Sequence, residues 1–271
     1  MWLNDLYHQL DPVALAVGPL TIRWYGLAYL CGFICAGLIM HRVAQHWRVN
    51  VTADDIITLI TGLACGVIIG GRLGYVIFYG KGYYLAHPLS IFMLNEGGMS
   101  FHGGLIGAVV GTWLANRSLR GPSFATIADL ITIGAPLGLF FGRCANFVNG
   151  ELWGKETSLP WGVMFDDAGG GAVYRHPSQL YEAILEGLVM FCILYALSRK
   201  VPARPQGTFL GTFLMLYGIF RFCIEFVRLP DAHMGYLAWG WLTMGQVLSL
   251  PLVLTGLAML VVARRRNYPQ H

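Results

Sequence analysis

The chain has 271 residues, 56% of them hydrophobic and 12% charged, with a formal net charge of +4 and a mean hydropathy of +0.57. An ordinary soluble domain carries about 25% charged residues, so this composition excludes a soluble globular core and leaves one membrane domain with no sizeable soluble partner. The basic residues fall in short loops and at the chain end, which excludes a nucleic-acid footprint.

The first twelve residues, MWLNDLYHQLDP, carry two Asp and no Lys or Arg. That is the reverse of a positive leader, so the first apolar run is expected to remain as a spanning helix. Seven runs are long and apolar enough to span at about 20 residues per hydrocarbon thickness. They lie near 21–40, 56–79, 100–116, 126–147, 178–198, 207–227 and 245–263, the third short and the second and fourth interrupted by charge. Thr52 with Asp55 predicts a capping box before the second run, and Pro177-Ser178 opens the fifth. Residues 80–99 read as an amphipathic arm at the membrane interface. Residues 148–177 read as a Gly-rich outer loop too small for a core of its own. The expected architecture is all-α, a single seven-helix membrane bundle over 1–271.

Lys and Arg set the orientation. Arg42, Arg48, Arg117, Arg120, Arg199, Lys200, Arg204, Arg264, Arg265 and Arg266 fall on one side. Arg23, Lys81, Lys155, Arg175 and Arg228 fall on the other, with Arg72, Arg143 and Arg221 inside spans. The N-terminus is therefore expected outside and the C-terminus in the cytoplasm. No repeat of fixed period appears, which argues against a transporter built on inverted halves.

Glycines four apart recur at 66/70/74, 103/107/111 and 134/138/142 and predict close helix packing. All six Cys (31, 35, 65, 144, 192, 223) lie in apolar segments. None is in a C-x-x-C pair, and no His cluster has zinc spacing, so they read as small buried hydrophobes.

An Arg or Asp at a helix centre costs about 2.5–3.5 kcal/mol on insertion scales and needs a partner or a task. With the orientation above, the buried polar groups gather in the outer half of the bilayer. They are Arg72, His102, Arg143, Glu182, Glu186 and Arg221, with Arg23, Tyr25, Asn146, Asn149 and Glu151 at the outer helix ends. Tyr217, Arg221 and Glu225 are spaced four apart and Arg228 follows one turn later, which puts them on one helix face. The plain reading of that face is an intrahelical Arg–Glu pair; it leaves Arg72, His102 and Arg143 unexplained. Guanidinium binds phosphate bidentately and keeps its charge in a low dielectric. A phospholipid entering sideways would place its phosphate among Arg72, Arg143 and Arg221. His102, followed by two glycines, is placed to accept a proton.

The segment GRCANFVNGELWG at 142–154 resembles the signature of the bacterial prolipoprotein diacylglyceryl transferase family. Its companions are RWYG at 23–26, GGRLGYV at 70–76, GGMSFHGGLIG at 97–107, RHPSQLYE at 175–182 and YGIFRFCIEFVR at 217–228. The resemblance runs in order from about residue 11 to 251. It implies a seven-span enzyme of the bacterial inner membrane that takes phosphatidylglycerol and a prolipoprotein. Such an enzyme moves the diacylglyceryl group to the lipobox cysteine and leaves glycerol phosphate. Residues matching the family's activity-linked and lipid-binding positions are Tyr25, His102, Arg143, Asn146, Glu151, Gly154, Tyr217, Arg221 and Glu225. The loop after Gly154 is shorter than in some members, which bears on prolipoprotein contacts.

The product is a thioether, so sulfur displaces oxygen at carbon, and the lipid brings its own leaving group; no cofactor, metal or nucleotide is expected. In this scheme Arg143 and Arg221 hold the phosphate, Asn146 and Tyr217 add hydrogen bonds, Glu151 and Glu225 orient the arginines, and His102 is the thiol base. Arg72, Gly154 and Glu182 complete the expected substrate-binding set. Two other classes fit parts of the pattern. A phospholipid or anion transporter would line both leaflets with polar groups, yet the inner half is nearly uncharged. A serine intramembrane protease would want a G-x-S-x-G-like setting, and Ser100 stands in GGMSFHG.

Overall fold

The computed structural model describes residues 2–18, 20–94, 97–119, 121–230 and 235–270. Arg120, and positions 95 and 96 of the expected arm, lie outside the described residues.

In chain order the elements begin with a short helix α1 (Trp2–Tyr7) and a hairpin of β1 (Val13–Val17) and β2 (Leu20–Arg23). Helices α2 (Trp24–Trp47) and α3 (Ala53–Tyr79) follow, then α4 (Tyr83–Ala86) and a 3-10 turn at Pro88–Phe92. Next come α5 (Phe101–Ser118), α6 (Phe124–Val148), and the paired strands β3 (Val163–Met164) and β4 (Tyr174–Arg175). A continuous helical stretch, Ser178–Ser198, consists of α7 (Ser178–Glu182), a π-helical segment (Ala183–Val189) and α8 (Met190–Ser198). The chain closes with α9 (Thr208–Ile224) and α10 (Met244–Arg266).

Helix therefore lies on each of the seven apolar runs. Among the described residues, five stretches are long and apolar enough to cross a membrane: α2, α3, α6, Ser178–Ser198 and α10; α9 is apolar but shorter. Several helix boundaries differ by a few residues from the reading of the sequence, α2 for instance running on to Trp47, and two of the differences change the local structure. The first run was expected to be helical from 21, but residues 20–23 pair with β1 and the helix starts at Trp24. The aliphatic strands flank Gly18, whose φ of +57° suits the reversal between them. The sixth run was expected to continue to 227, but α9 stops at Ile224 and Glu225 caps it. Arg228 thus lies beyond the helix, in an isolated bridge with Gly154.

The chain divides into two compact units, residues 48–127 and the remainder of the described chain. In the first, α3 begins with the expected capping box, Thr52 and Asp55 each accepting from the other's backbone. The glycine rows of α3 and α5 then lie face to face. A Cβ on Gly66 or Gly70 would strike the carbonyl oxygens of Gly107 or Gly103, and one on Gly107 or Gly111 those of Gly66 or Gly62. Only backbone-to-backbone contact permits this approach, the arrangement that small residues allow in lipid.

In the other unit, α2 meets α6 where a Cβ on Gly32 would lie 2.9 Å from Gly138 Cα and one on Gly134 2.8 Å from Ala36 Cα. Gly138 and Gly142 have open space at their own Cβ positions, so of that row only Gly134 is itself too crowded for a side chain. The buried Asp129 caps α9: its carboxylate accepts from Gly207 N and Leu210 N at 2.8 Å each and from Gln270 Nε2 at 2.7 Å. This is the task that an acid inside an apolar run requires. The loop between α6 and α7 shares an apolar core with α1 and the end of α6, formed by Leu3, Tyr7, Phe147, Val163 and Phe165.

The cysteines depart from expectation. Cys31, Cys65, Cys192 and Cys223 are exposed on the protein surface and Cys35 and Cys144 partly so. Apolar helix faces without protein neighbours are the faces a bilayer would cover.

Candidate active site

The larger unit gathers its charged side chains around one carboxylate. Helix α6 carries Arg143 near its end, α7 ends on Glu182, the π-helical segment carries Glu186, and α9 carries Arg221 with Glu225 at its cap. Glu182 is fully buried and is shared by three guanidinium groups. Its Oε2 lies 2.9 Å from Arg143 Nε; its Oε1 accepts from Arg221 Nη1 and, at 2.9 Å, from Arg228 Nη1. Arg143 Nη2 also approaches Glu186 Oε2 at 3.5 Å. Glu225 Oε1 pairs with Arg221 Nη2 one turn back and stands 3.9 Å from Arg228 Nε. Its other oxygen accepts from the Thr243 hydroxyl.

Among the described residues, three arginines and three glutamates thus form one network whose formal charges cancel. Such a network is stable in a low dielectric only when every member keeps its partners. The expected intrahelical Arg221–Glu225 pair exists, but Arg221 also reaches across to Glu182. Arg143 and Arg221 remain 17% exposed at their side chains while Glu182 is 0% exposed, so the arginine side chains, and not the carboxylate, are what an incoming anion would meet.

Local structure explains how these groups converge. A π-helical turn is wider than an α-turn and recurs at functional sites. Here it follows Glu182 and contains Glu186. Gly187 lets that wide turn seat against α6: a Cβ there would lie 2.7 Å from Phe140 Cβ. Gly245, at the start of α10, lies under the Glu225 carboxylate with no room for a side chain.

The remaining site residues form an adjoining shell. Glu151 accepts from Asn146 Nδ2 at 3.1 Å and Asn149 Nδ2 at 3.3 Å. It was expected to orient an arginine; past the end of α6 it holds these two amides instead, and Glu182 has the arginines. Gly154 donates its N–H to His176 O at 2.9 Å and bridges Arg228. A Cβ there would sit 2.5 Å from Val227 O and 2.7 Å from His176 Cβ, so only glycine fits. The His176 imidazole is held below its ordinary pKa by burial and secondarily by the Lys155 charge. Tyr25 meets Tyr29 edge-on at 5.2 Å in the first turns of α2, and Tyr217 stacks on Phe213 at 6.0 Å.

Two expected residues belong to the unit of residues 48–127. His102 lies exposed in the first turn of α5, beside a hollow of about 370 Å³ that it lines with Phe78, Tyr79 and Ser100. Arg72 is buried and committed to backbone. Its Nε donates to Ile91 O at 2.8 Å, Nη1 to Gly97 O and Gly98 O, and Nη2 to Ser90 O and Met93 O. Five N–H groups meet five carbonyls, so no donor is left over for a phosphate. The expected grip by Arg72 does not occur in this arrangement.

A family model described as prolipoprotein diacylglyceryl transferase matches residues 12–262. The chain belongs to the prolipoprotein diacylglyceryl transferase family. Among similar proteins is the phosphatidylglycerol–prolipoprotein diacylglyceryl transferase of Pseudomonas aeruginosa strain UCBPP-PA14, 51% identical over 264 residues, 97% of each chain. The enzyme of the same name from Geobacter sulfurreducens is 51% identical over 262 residues, covering 96% of this chain and 98% of its own. That of Nitratidesulfovibrio vulgaris strain DP4 is 50% identical over 254 residues, 94% and 95% of the two chains.

Within this family member, the reading of the sequence undervalued Glu186, Arg228, Thr243 and Gly245. Glu186 was visible as an acid four residues after Glu182. Thr243 and Gln246 form a capping box, a signal readable from their spacing. The closeness of Gly245 to Glu225 carries no local signal.

Proposed function

We propose that this chain is a transferase that moves the diacylglyceryl group of phosphatidylglycerol to the lipobox cysteine thiol of a prolipoprotein. A thioether forms and glycerol phosphate leaves, the first step of bacterial lipoprotein maturation. The observation that carries the reading is the convergence of Arg143, Arg221 and Arg228 on Glu182, with Arg143 and Arg221 still partly open.

The setting is the bacterial inner membrane, crossed seven times by a single membrane domain. The N-terminus is outside, the C-terminus cytoplasmic, and the site faces the outer leaflet. The asymmetry of basic loops supports that orientation, and the phospholipid is then already resident where the arginines lie. Residues 80–99 form the interfacial arm, its Leu85, Leu89 and Phe92 largely exposed, and 148–177 form the periplasmic head.

The chemistry is an alkyl transfer. The thiolate attacks the glyceryl carbon, the carbon–oxygen bond breaks, and its electron pair stays on the phosphate oxygen. Arg143 and Arg221 neutralise the charge that grows there, a contribution realised mainly in the transition state. Asn146, held by Glu151, and Tyr217 add hydrogen bonds to the lipid, while Tyr25 and Gly154 shape its seat. Glu182 and Glu225 act through the guanidinium groups. His102 removes the thiol proton as general base. Arg72 fixes the arm.

The deciding experiment incubates the purified protein with phosphatidylglycerol and a lipobox peptide and reads the peptide by mass spectrometry. A diacylglyceryl adduct on cysteine is expected. Cleaved peptide, or moved lipid without adduct, overturns the reading.

A further inference from the structure

The transfer leaves the site with a charge problem. A phosphodiester enters with one negative charge. Once the carbon–oxygen bond breaks, the departing phosphate monoester carries about 1.5 to 2 negative charges near pH 7. Arginines that grip the substrate therefore grip the product more tightly, because charge-assisted bidentate bonds strengthen with the charge on the acceptor. A site that only attracts phosphate would become trapped in its product complex.

The geometry points to Glu182 as an internal anion that occupies the phosphate grip between turnovers, aligning the guanidinium groups and competing glycerol phosphate off them. The inference rests on the transferase reading above. Glu182 Oε1 accepts from Arg221 and Arg228, and Oε2 lies 2.9 Å from Arg143 Nε as an ion pair. Arg221 has its two terminal nitrogens on Glu182 and Glu225, and Arg143 has Nε and Nη2 directed at Glu182 and Glu186. A phosphate that takes both forks must share or displace these bonds. Glu182 suits the part better than its neighbours do. Glu225 is tied to Thr243 and lies on the same element as Arg221. Among the described arginines Glu186 pairs with Arg143 alone, at a long 3.5 Å. Among the described carboxylates, Glu182 is the one that links α6, α9 and Arg228. It is a positioning residue, since it meets the lipid only through the arginines.

The test compares the full chain with Glu182→Gln and Glu182→Asp, each in phosphatidylglycerol vesicles with a lipobox peptide, and measures glycerol phosphate binding separately in detergent. Glu182→Gln keeps the shape but removes the competing charge. It should bind glycerol phosphate about tenfold more tightly, as the loss of one charge-assisted competitor implies. It should complete a first turnover and then stall, with inhibition by added glycerol phosphate at correspondingly lower concentration. A purely structural Glu182 would lose binding and first turnover together. Unchanged or weaker glycerol phosphate binding in folded Glu182→Gln overturns the proposal. Should that variant fail to fold, Glu182→Asp decides. Its shorter side chain withdraws the charge from the forks, so tighter product binding supports the proposal and unchanged binding refutes it. Failure of the transferase reading looks different: the unaltered protein forms no adduct, whatever its affinity for glycerol phosphate.

Discussion

Gly245, in the first turn of α10, lies directly beneath the Glu225 carboxylate, so that a methyl group there would overlap it. Glu225 is not free to swing away, because Arg221, Arg228 and Thr243 hold its oxygens. Gly245→Ala should therefore disturb the ion network more than the backbone. Turnover is expected to fall at least about tenfold, while stability falls by about 1–3 kcal/mol, the usual cost of overpacking. Initial rates and denaturant unfolding of the same preparation check this. A variant with normal rates would show that Glu225 can shift without consequence.

Arg143→Lys tests the fork. Lysine keeps the charge but presents a compact ammonium in place of a planar guanidinium. Nε and Nη2 of Arg143 reach two different carboxylates, and a single nitrogen cannot hold both and also offer an edge to phosphate. Activity should fall by about 10²–10³, the scale of losing one preorganised donor to a developing oxyanion. Adduct formation quantified over time would measure it, with near-normal turnover removing Arg143 from the phosphate grip.

Arg72 makes a different claim. Its five N–H groups bond carbonyls between Ser90 and Gly98, and its guanidinium lies 5.3 Å from the centre of the Tyr84 ring. Arg72→Lys retains the charge yet leaves at least two of those carbonyls without a donor. Amide hydrogen exchange across the 80–94 segment should accelerate, while exchange within α6 and α9 stays as it was. Unaltered exchange in the arm would mean that the clasp is dispensable.

The helices were legible because long apolar runs with caps and breakers are local patterns. The Thr52–Asp55 box and the Arg221–Glu225 spacing are read within four residues, and both stand in the structure. The family signature drew attention to Arg143 and Asn146 without saying what they touch. What stayed hidden depends on partners far apart in sequence. Nothing near residue 72 announces carbonyls some twenty residues on, and nothing near Asp129 announces the α9 N-terminus that it caps. The π-helical segment has no composition of its own; it arises from packing against α6. The hairpin at 13–23 was missed because its strands are as apolar as the helix they precede, and hydropathy alone does not separate the two.

A pH-dependent tie joins α1 to the loop between α6 and α7. His8 Nδ1 faces Asn4 O at 2.9 Å and Nε2 faces Asp166 Oδ1 at 2.9 Å. Both ring nitrogens meet acceptors, so only the doubly protonated imidazolium satisfies both. The Asn4 carbonyl first, and the Asp166 carboxylate second, raise the His8 pKa above 6.5; the His8 bond in turn lowers that of Asp166. For a group with a raised folded pKa, the stabilisation is complete below the unfolded value and is lost as pH rises through the folded one. For the depressed Asp166 it is lost as pH falls through its folded value, below 3.8. The tie therefore holds from mildly acidic pH up to the folded pKa of His8 and opens above it. Hydrogen exchange at residues 3–8, corrected for the intrinsic pH dependence, should accelerate on passing that pKa. His8→Gln should remove the step, and added salt should shrink it because the pair is exposed. A step that survives in His8→Gln would assign the titration to another group.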